Sequence, residues 1–204
     1  MKNVVLLASG EGTNFSAMVR SGVRICLVIT DNHNAGVIGR AKEKGVECLC
    51  FTKKQGESKE EHENRIIESF PDKVHLVILA GYMRLLSKTF LERYPNVINI
   101  HPSLLPSFKG KTSIEDAYRY GCKYIGATVH WVNEEMDAGK IIEQEGFRIE
   151  DDATLTEVIK KMHLLENGMY PRVVHNLITQ EQDCKLEMLI TSDGGYNTWR
   201  RAHV

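Results

Sequence analysis

The sequence has no long apolar run at its start. Before Ser9 there is only a short stretch of about five apolar residues, whereas a secretory signal needs roughly 7–15 and a membrane-spanning helix about 20. We therefore expect neither a signal peptide nor a membrane anchor in this segment, and a cytoplasmic protein that does not associate with membranes.

The sequence also has few cysteines and little net charge. The five cysteines are an odd number, and none forms a C-x-x-C pair, which argues against a disulfide framework and a zinc ribbon. Cys48 and Cys50 lie on a predicted strand, where alternation places them on opposite faces, so we expect no metal site. A net charge of −1 gives no bulk attraction to nucleic acid. The expected partners are therefore small molecules.

What the sequence does contain is a series of short apolar runs separated by helical segments. The strand candidates are residues 3–8, 24–29, 46–51, 75–80, 97–100, 125–132 and 140–149. Helices are predicted for residues 14–21, 35–44, 58–70, 88–94, 112–121 and about 154–177.

This alternation predicts the fold class. Continuous apolarity indicates strands that are covered on both faces, and strand–helix–strand repetition indicates parallel order. We expect an α/β fold with a Rossmann-like, open, mostly parallel sheet and helices on both faces. The chain shows no repeats and no low-complexity linker, so residues 1–190 are predicted to be one domain and the polar residues 191–204 a C-terminal tail.

The loop after the first strand has two interpretations. Ser9-Gly10-Glu11-Gly12-Thr13-Asn14 places glycines before a helix start, where backbone N–H groups can bind a phosphate. The dinucleotide fingerprint would need a glycine at Phe15, and the segment is not a Walker loop. The alternative is a tight turn that Thr13 or Asn14 caps.

Two polar residues end the fifth strand candidate. Asn99 and His101 are two apart in Asn99-Ile100-His101-Pro102, so they lie on one face of the strand while Ile100 faces the core. Ligands bind at the carboxyl ends of strands in open α/β sheets. A carboxamide can donate to a developing oxyanion and an imidazole can carry a proton. The alternative is a hydrogen-bonded pair with only a structural role.

Three motifs together resemble the formyltransferase family that uses 10-formyltetrahydrofolate. They are Asn99-Ile100-His101-Pro102-Ser103-Leu104-Leu105-Pro106, the 133–139 loop after Val129-His130-Trp131-Val132, and Leu79-Ala80-Gly81-Tyr82-Met83-Arg84-Leu85-Leu86. The resemblance covers about residues 3–180. Within the family, the chain is most similar to the branch that formylates glycinamide ribonucleotide in purine synthesis. We expect direct attack of the amine, no metal, and a monomer or homodimer.

The resemblance also implies site residues. The catalytic set would be Asn99, His101 and Asp137; the phosphate and ribose set would be Gly12, Thr13, Asn14 and Glu166; and the folate set would be Met83, Arg84, Leu86, Asn133, Glu134 and Met136. Asp137 would stabilise the charged imidazole and organise the proton relay.

The sequence leaves several alternatives for the acceptor of the formyl group. Residues 106–110 also resemble formyltetrahydrofolate hydrolases, which release formate to water, and sugar-amine formyltransferases are a further alternative. A transferase acting on methionyl-tRNA would need a basic surface, which the net charge does not provide. A folate- or nucleotide-binding regulator without catalysis would tolerate loss of the catalytic set.

Overall fold

The computed structural model describes residues 2–190, with side chains as far as residue 179. Within that range a seven-stranded sheet has the order β3-β2-β1-β4-β5-β6-β7. The strands are β1 Val4–Leu7, β2 Ile25–Thr30, β3 Cys48–Cys50, β4 Leu76–Leu79, β5 Val97–His101, β6 Tyr124–Trp131 and β7 Ile141–Arg148. The helices are α1 Thr13–Arg20, α2 Gly36–Glu43, α3 Lys59–Ile67, α4 Lys88–Arg93, α5 Ser113–Tyr120 and α6 Leu155–Ile190.

Strands β1 to β5 pair in parallel, and β6 pairs antiparallel with both β5 and β7. Alternate residues of β1 belong to different cores: Val4 and Leu6 to one, Val5 and Leu7 to the other. Both faces of the sheet are therefore covered, as the continuous apolar runs indicate. The predicted mostly parallel, Rossmann-like sheet is confirmed.

The chain order along the sheet reverses beside β1. From β1 the chain moves outward to β2 and β3, then returns to place β4 and β5 on the opposite side. Loops that leave the carboxyl ends of β1 and β4 consequently diverge and leave a crevice between them. The fold thus positions the site before any side chain is considered.

Two elements differ from the sequence prediction. Strand β3 is only three residues long, and α6 continues to Ile190 instead of ending near Leu177. Residues 178–190 contain two glutamines, two glutamates, two leucines, a methionine and a lysine, which have high helix propensity, and no glycine or proline, and this explains the longer helix. The predicted tail at 191–204 lies outside the described residues. None of the helices within residues 2–190 is long and apolar enough to cross a membrane.

Candidate active site

A cleft of about 550 Å³ opens at the carboxyl ends of the central strands. It collects residues from every motif that the sequence singled out. The predicted residues that line it are Gly12, Thr13, Asn14, Met83, Arg84, Leu86, Asn99, His101, Asn133, Met136, Asp137 and Glu166.

His101, the last residue of β5, has a fixed ring orientation. Its Nε2 lies 2.9 Å from the carbonyl oxygen of Phe108, and because a carbonyl can only accept, Nε2 carries the hydrogen. The other ring nitrogen, Nδ1, lies 3.5 Å from Oδ2 of Asp137. The side chain is 6% exposed. Nδ1 is therefore the nitrogen that can gain or lose a proton in the cleft.

Asp137 lies in the loop between β6 and β7 with φ at +50°, a left-handed conformation that aspartate tolerates better than most residues. Its Oδ2 accepts the backbone N–H of Gly110 at 3.0 Å. Gly139 fixes the end of this loop, because a Cβ there would lie 1.7 Å from the carbonyl oxygen of Trp131. The backbone thus directs the Asp137 carboxylate toward His101.

Asn99 has a neighbour that the sequence analysis did not assign to the site. His130 stands opposite Asn99 in the β5–β6 ladder. Its Nδ1 lies 2.9 Å from the carbonyl oxygen of Trp131, so Nδ1 carries the hydrogen and Nε2 accepts from Nδ2 of Asn99 at 3.3 Å. Burial lowers the pKa of His130, which keeps the ring neutral at pH 7. This contact directs the amide nitrogen of Asn99, and its second hydrogen, toward the cleft.

A second residue that the sequence analysis did not assign, Thr128, supports the turn after His101. Its hydroxyl donates to the carbonyl of Ser103 at 2.6 Å and accepts from the backbone N–H of Leu105 at 3.0 Å. Gln144 donates to the same hydroxyl and to the carbonyl of Leu105. Thr128 is buried whereas Gln144 is exposed, and the two meet only because β6 and β7 pair in this register, which no local sequence pattern reveals.

The glycine loop has the geometry of an anion site. Helix α1 begins at Thr13, and its N-cap residue is Gly12 at φ +75°. No side-chain hydrogen bond caps this end of the helix among the described residues. The predicted cap by Thr13 or Asn14 is therefore wrong, while the tight turn itself is present. The N–H groups of the first turn have no intrahelical acceptor, and Gly12, Thr13 and Asn14 line the cleft at the positive end of the helix dipole.

Glu166 lies on α6, lines the same cleft and is buried. Burial raises its pKa to about 7. One turn later, the hydroxyl of Tyr170 lies 2.9 Å from the carbonyl oxygen of Leu79 and 3.2 Å from that of Ile98. This contact fixes the height of Glu166 relative to the ends of β4 and β5.

The cleft also has an apolar mouth. Met83, Leu85 and Met136 are large apolar side chains that stay 57%, 48% and 47% exposed and line the opening. Such an exposed apolar rim is typical of a surface that binds a flat ligand. Among residues 2–179, no group of three or more histidine, cysteine, aspartate or glutamate side chains could hold a metal ion.

Glu134 is the one predicted site residue that the structure does not bring to the cleft. It is exposed, and its neighbour Glu135 lines the cleft instead. The reason is an Asx turn, in which the side chain of Asn133 accepts the backbone N–H of Glu135 at 3.2 Å. The turn changes which of the two glutamates faces inward.

The chain is similar to known formyltransferases over most of its length. The formyl transferase family matches residues 2–174. Phosphoribosylglycinamide formyltransferase of Bacillus subtilis is 40% identical over 87% of this chain and 95% of its own length. The crystal structure of phosphoribosylglycinamide formyltransferase from Bacillus halodurans superposes with a TM-score of 0.83 at 38% identity and covers 88% of this chain and 97% of its own. The structure of the enzyme of that name from Streptococcus pneumoniae superposes with a TM-score of 0.84 at 36% identity and covers 87% of this chain and 99% of its own. The chain therefore belongs to the formyl transferase family of enzymes, as its sequence motifs predict.

Proposed function

We propose that this enzyme transfers the formyl group of 10-formyltetrahydrofolate to the amine of glycinamide ribonucleotide, a step of de novo purine biosynthesis. One observation carries the proposal: an anion cradle at Gly12–Asn14 and an apolar mouth at Met83 and Met136 line a single cleft, which His101 and Asp137 also line. A phosphorylated amine at one end and a flat folate at the other would meet at these polar groups.

The relatives support the choice of acceptor. Those named phosphoribosylglycinamide formyltransferase cover most of this chain and most of their own length. The acceptor's phosphate suits the uncapped first turn of α1. The carboxylate of Glu166, 7% exposed, suits the ribose hydroxyls, because a nearly buried carboxylate gains most from hydroxyl donors.

The reaction exchanges one carbon–nitrogen bond for another. The amine nitrogen attacks the formyl carbon, the carbonyl oxygen gains negative charge, and the bond from the formyl carbon to the folate nitrogen then breaks. The free N–H of Asn99, directed by His130, can donate to the oxygen while it is negatively charged. Such preoriented donors are worth about 10²–10³ in kcat.

One proton must leave the attacking amine and one must reach the departing folate nitrogen. Nδ1 of His101 is the group that can do this, because Nε2 is bound to the Phe108 carbonyl. Asp137, 3.5 Å from Nδ1, stabilises the ring while it carries the extra proton. No covalent enzyme intermediate is needed, since no nucleophile elbow surrounds Ser103.

The test is to mix the protein with 10-formyltetrahydrofolate in the presence and absence of glycinamide ribonucleotide and to measure tetrahydrofolate and formate. Tetrahydrofolate that forms only with the amine, without free formate, supports the proposal. Tetrahydrofolate and formate in equal amounts without the amine would establish a hydrolase instead. A chain that binds the folate but releases no product in either mixture would be a binding protein.

The same assay run with an amino sugar nucleotide separates the two amine acceptors. We expect no turnover with it, because the free N–H groups of the first turn of α1 suit one phosphate and not the diphosphate of a sugar nucleotide. Efficient formylation of the amino sugar nucleotide, and none of glycinamide ribonucleotide, would contradict the proposal.

A further inference from the structure

Three polar side chains join the loops on the two sides of the cleft. Ser9 follows β1 and precedes the glycine loop, Asp31 follows β2, and Arg84 lies in the loop after β4. The hydroxyl of Ser9 donates to Oδ1 of Asp31 at 2.6 Å. The Nε–H of Arg84 donates to Oδ2 of the same carboxylate at 2.6 Å. We call these residues the Ser9–Asp31–Arg84 network.

The network also holds the backbone of the loop after β4. The hydroxyl oxygen of Ser9 accepts the N–H of Met83 at 3.0 Å, and the N–H of Ser9 donates to the carbonyl of Gly81 at 3.1 Å. Together with the Arg84 contact, this makes three attachments within four residues. The segment that forms the apolar mouth of the cleft is thus fixed at its base.

Asp31 makes different contacts from those of the acidic residue at the same place in dinucleotide-binding sheets. An acidic residue after the second strand, about 20 residues beyond the glycine loop, binds a ribose hydroxyl in dinucleotide-binding sheets. Here both carboxylate oxygens are occupied by protein donors, and the side chain is 9% exposed. A nearly buried carboxylate is stable only when it is paired in this way. Asp31 is therefore committed to the loop and not to a sugar.

We propose that Ser9 and Asp31 are positioning residues for the formyl donor: they hold the 81–84 backbone so that the folate ring system meets a preformed wall. The inference rests on the proposed function. It differs from a purely structural role, because the residues held in place line the cleft and include the predicted folate residues Met83 and Arg84, while the α1 cradle keeps its own contacts. One of these is the Nε–H of Arg40, which donates to the carbonyl of Glu11 at 2.6 Å.

The kinetic test uses Asp31→Asn and Ser9→Ala. In Asp31→Asn one oxygen still accepts from Ser9, but the charge facing Arg84 is lost. We expect the KM for 10-formyltetrahydrofolate to rise about tenfold, equivalent to about 1.4 kcal/mol, with the KM for the nucleotide and kcat each within about twofold of the wild type. Asp151→Asn is the matched control, since its ion pair with Lys123 is exposed and outside the cleft, and both KM values should stay unchanged.

Amide hydrogen exchange of the same variants tests the positioning directly and needs no turnover. Both variants should exchange faster in peptides covering residues 81–86 and at the wild-type rate in peptides covering α1. Unchanged exchange at 81–86, or an equal rise in both KM values, would overturn the inference. If the wild type transfers no formyl group, the proposed function fails, and the exchange result still shows whether the network holds the loop.

Discussion

His101 and Asp137 are held by backbone groups of one short turn. The carbonyl of Phe108 accepts from His101, and the N–H of Gly110 donates to Asp137. Both turn residues have positive φ, +50° and +97°. Because backbone groups of this turn make both contacts, replacing the side chain of His101 or Asp137 should leave the turn unchanged. A loss of rate can then be attributed to the missing side chain.

We expect His101→Ala and Asp137→Asn each to lower kcat by about 10²-fold or more, the scale of acid–base assistance. Asparagine tolerates the left-handed backbone at position 137, so that variant removes charge without a change of conformation. The measurement is steady-state turnover at saturating concentrations of both substrates. His33→Ala, at an exposed site outside the cleft, is the control, and near-wild-type turnover in both variants would refute the assigned roles.

Glu166 should make stability depend on pH. Burial raises its pKa from 4.5 to about 7 in the folded protein. Between those pH values the unfolded chain ionises while the folded one stays protonated, so the free energy of unfolding falls as pH rises across that window and is then constant. Relative to Glu166→Gln, the wild type should lose up to roughly 3 kcal/mol from pH 4.5 to 7.

The measurement is denaturant unfolding of both proteins at several pH values. The exposed Glu134→Gln variant supplies the control and should follow the wild-type curve throughout. A difference between wild type and Glu166→Gln that stays constant from pH 4.5 to 8 would show that the carboxyl does not titrate in this range.

At the scale of elements, the loop between β1 and α1 combines a left-handed turn with close helix packing. Gly12 has φ +75°, and a Cβ there would lie 2.7 Å from Cβ and Cγ2 of Val37 on α2. A Cβ at the neighbouring Gly10 would have no atom within 4 Å of it. Only Gly12 is therefore required by the conformation of the loop.

We expect Gly12→Ala to lower the free energy of unfolding by about 1–3 kcal/mol, because the side chain meets both backbone strain and overpacking. The displaced α1 N-terminus should also raise the KM for the nucleotide more than that for the folate. Gly10→Ala is the matched variant for thermal unfolding and should stay close to the wild type. Equal loss of stability in the two variants would rule out the packing explanation.

The elements could be predicted from the sequence because each leaves a local pattern. The seven apolar runs coincide with the seven strands, and the alternation that places Asn99 and His101 on one face holds in β5. Contacts between distant segments leave no such pattern. The pairing of Asn99 with His130 depends on the β5–β6 register, and Asp31 meets Arg84 across 53 positions.

At the scale of the whole molecule, α6 links the two sides of the site. It packs on α1 and on β6 and β7, and Glu166 reaches the cleft from it. Its deepest contact is Tyr170, which is fully buried and whose hydroxyl bridges the carbonyls of Leu79 and Ile98. One hydroxyl thus ties the last helix to two central strands beside Asn99.

Tyr170→Phe tests that link. The change removes the one hydroxyl hydrogen that these two buried carbonyls share while keeping the ring, so we expect the free energy of unfolding to fall by about 1–3 kcal/mol and Tm by about 2–4 °C per kcal/mol. Tyr118→Phe is the matched control: its hydroxyl also donates to a carbonyl, that of Ala153 at 2.9 Å, but the side chain is only partly buried, so water can replace the donor and the loss should be smaller. Because Glu166 lies one turn from Tyr170, the KM for the nucleotide should rise in Tyr170→Phe and not in Tyr118→Phe. Equal losses of stability and unchanged KM values in both variants would show that α6 is held by its apolar contacts alone.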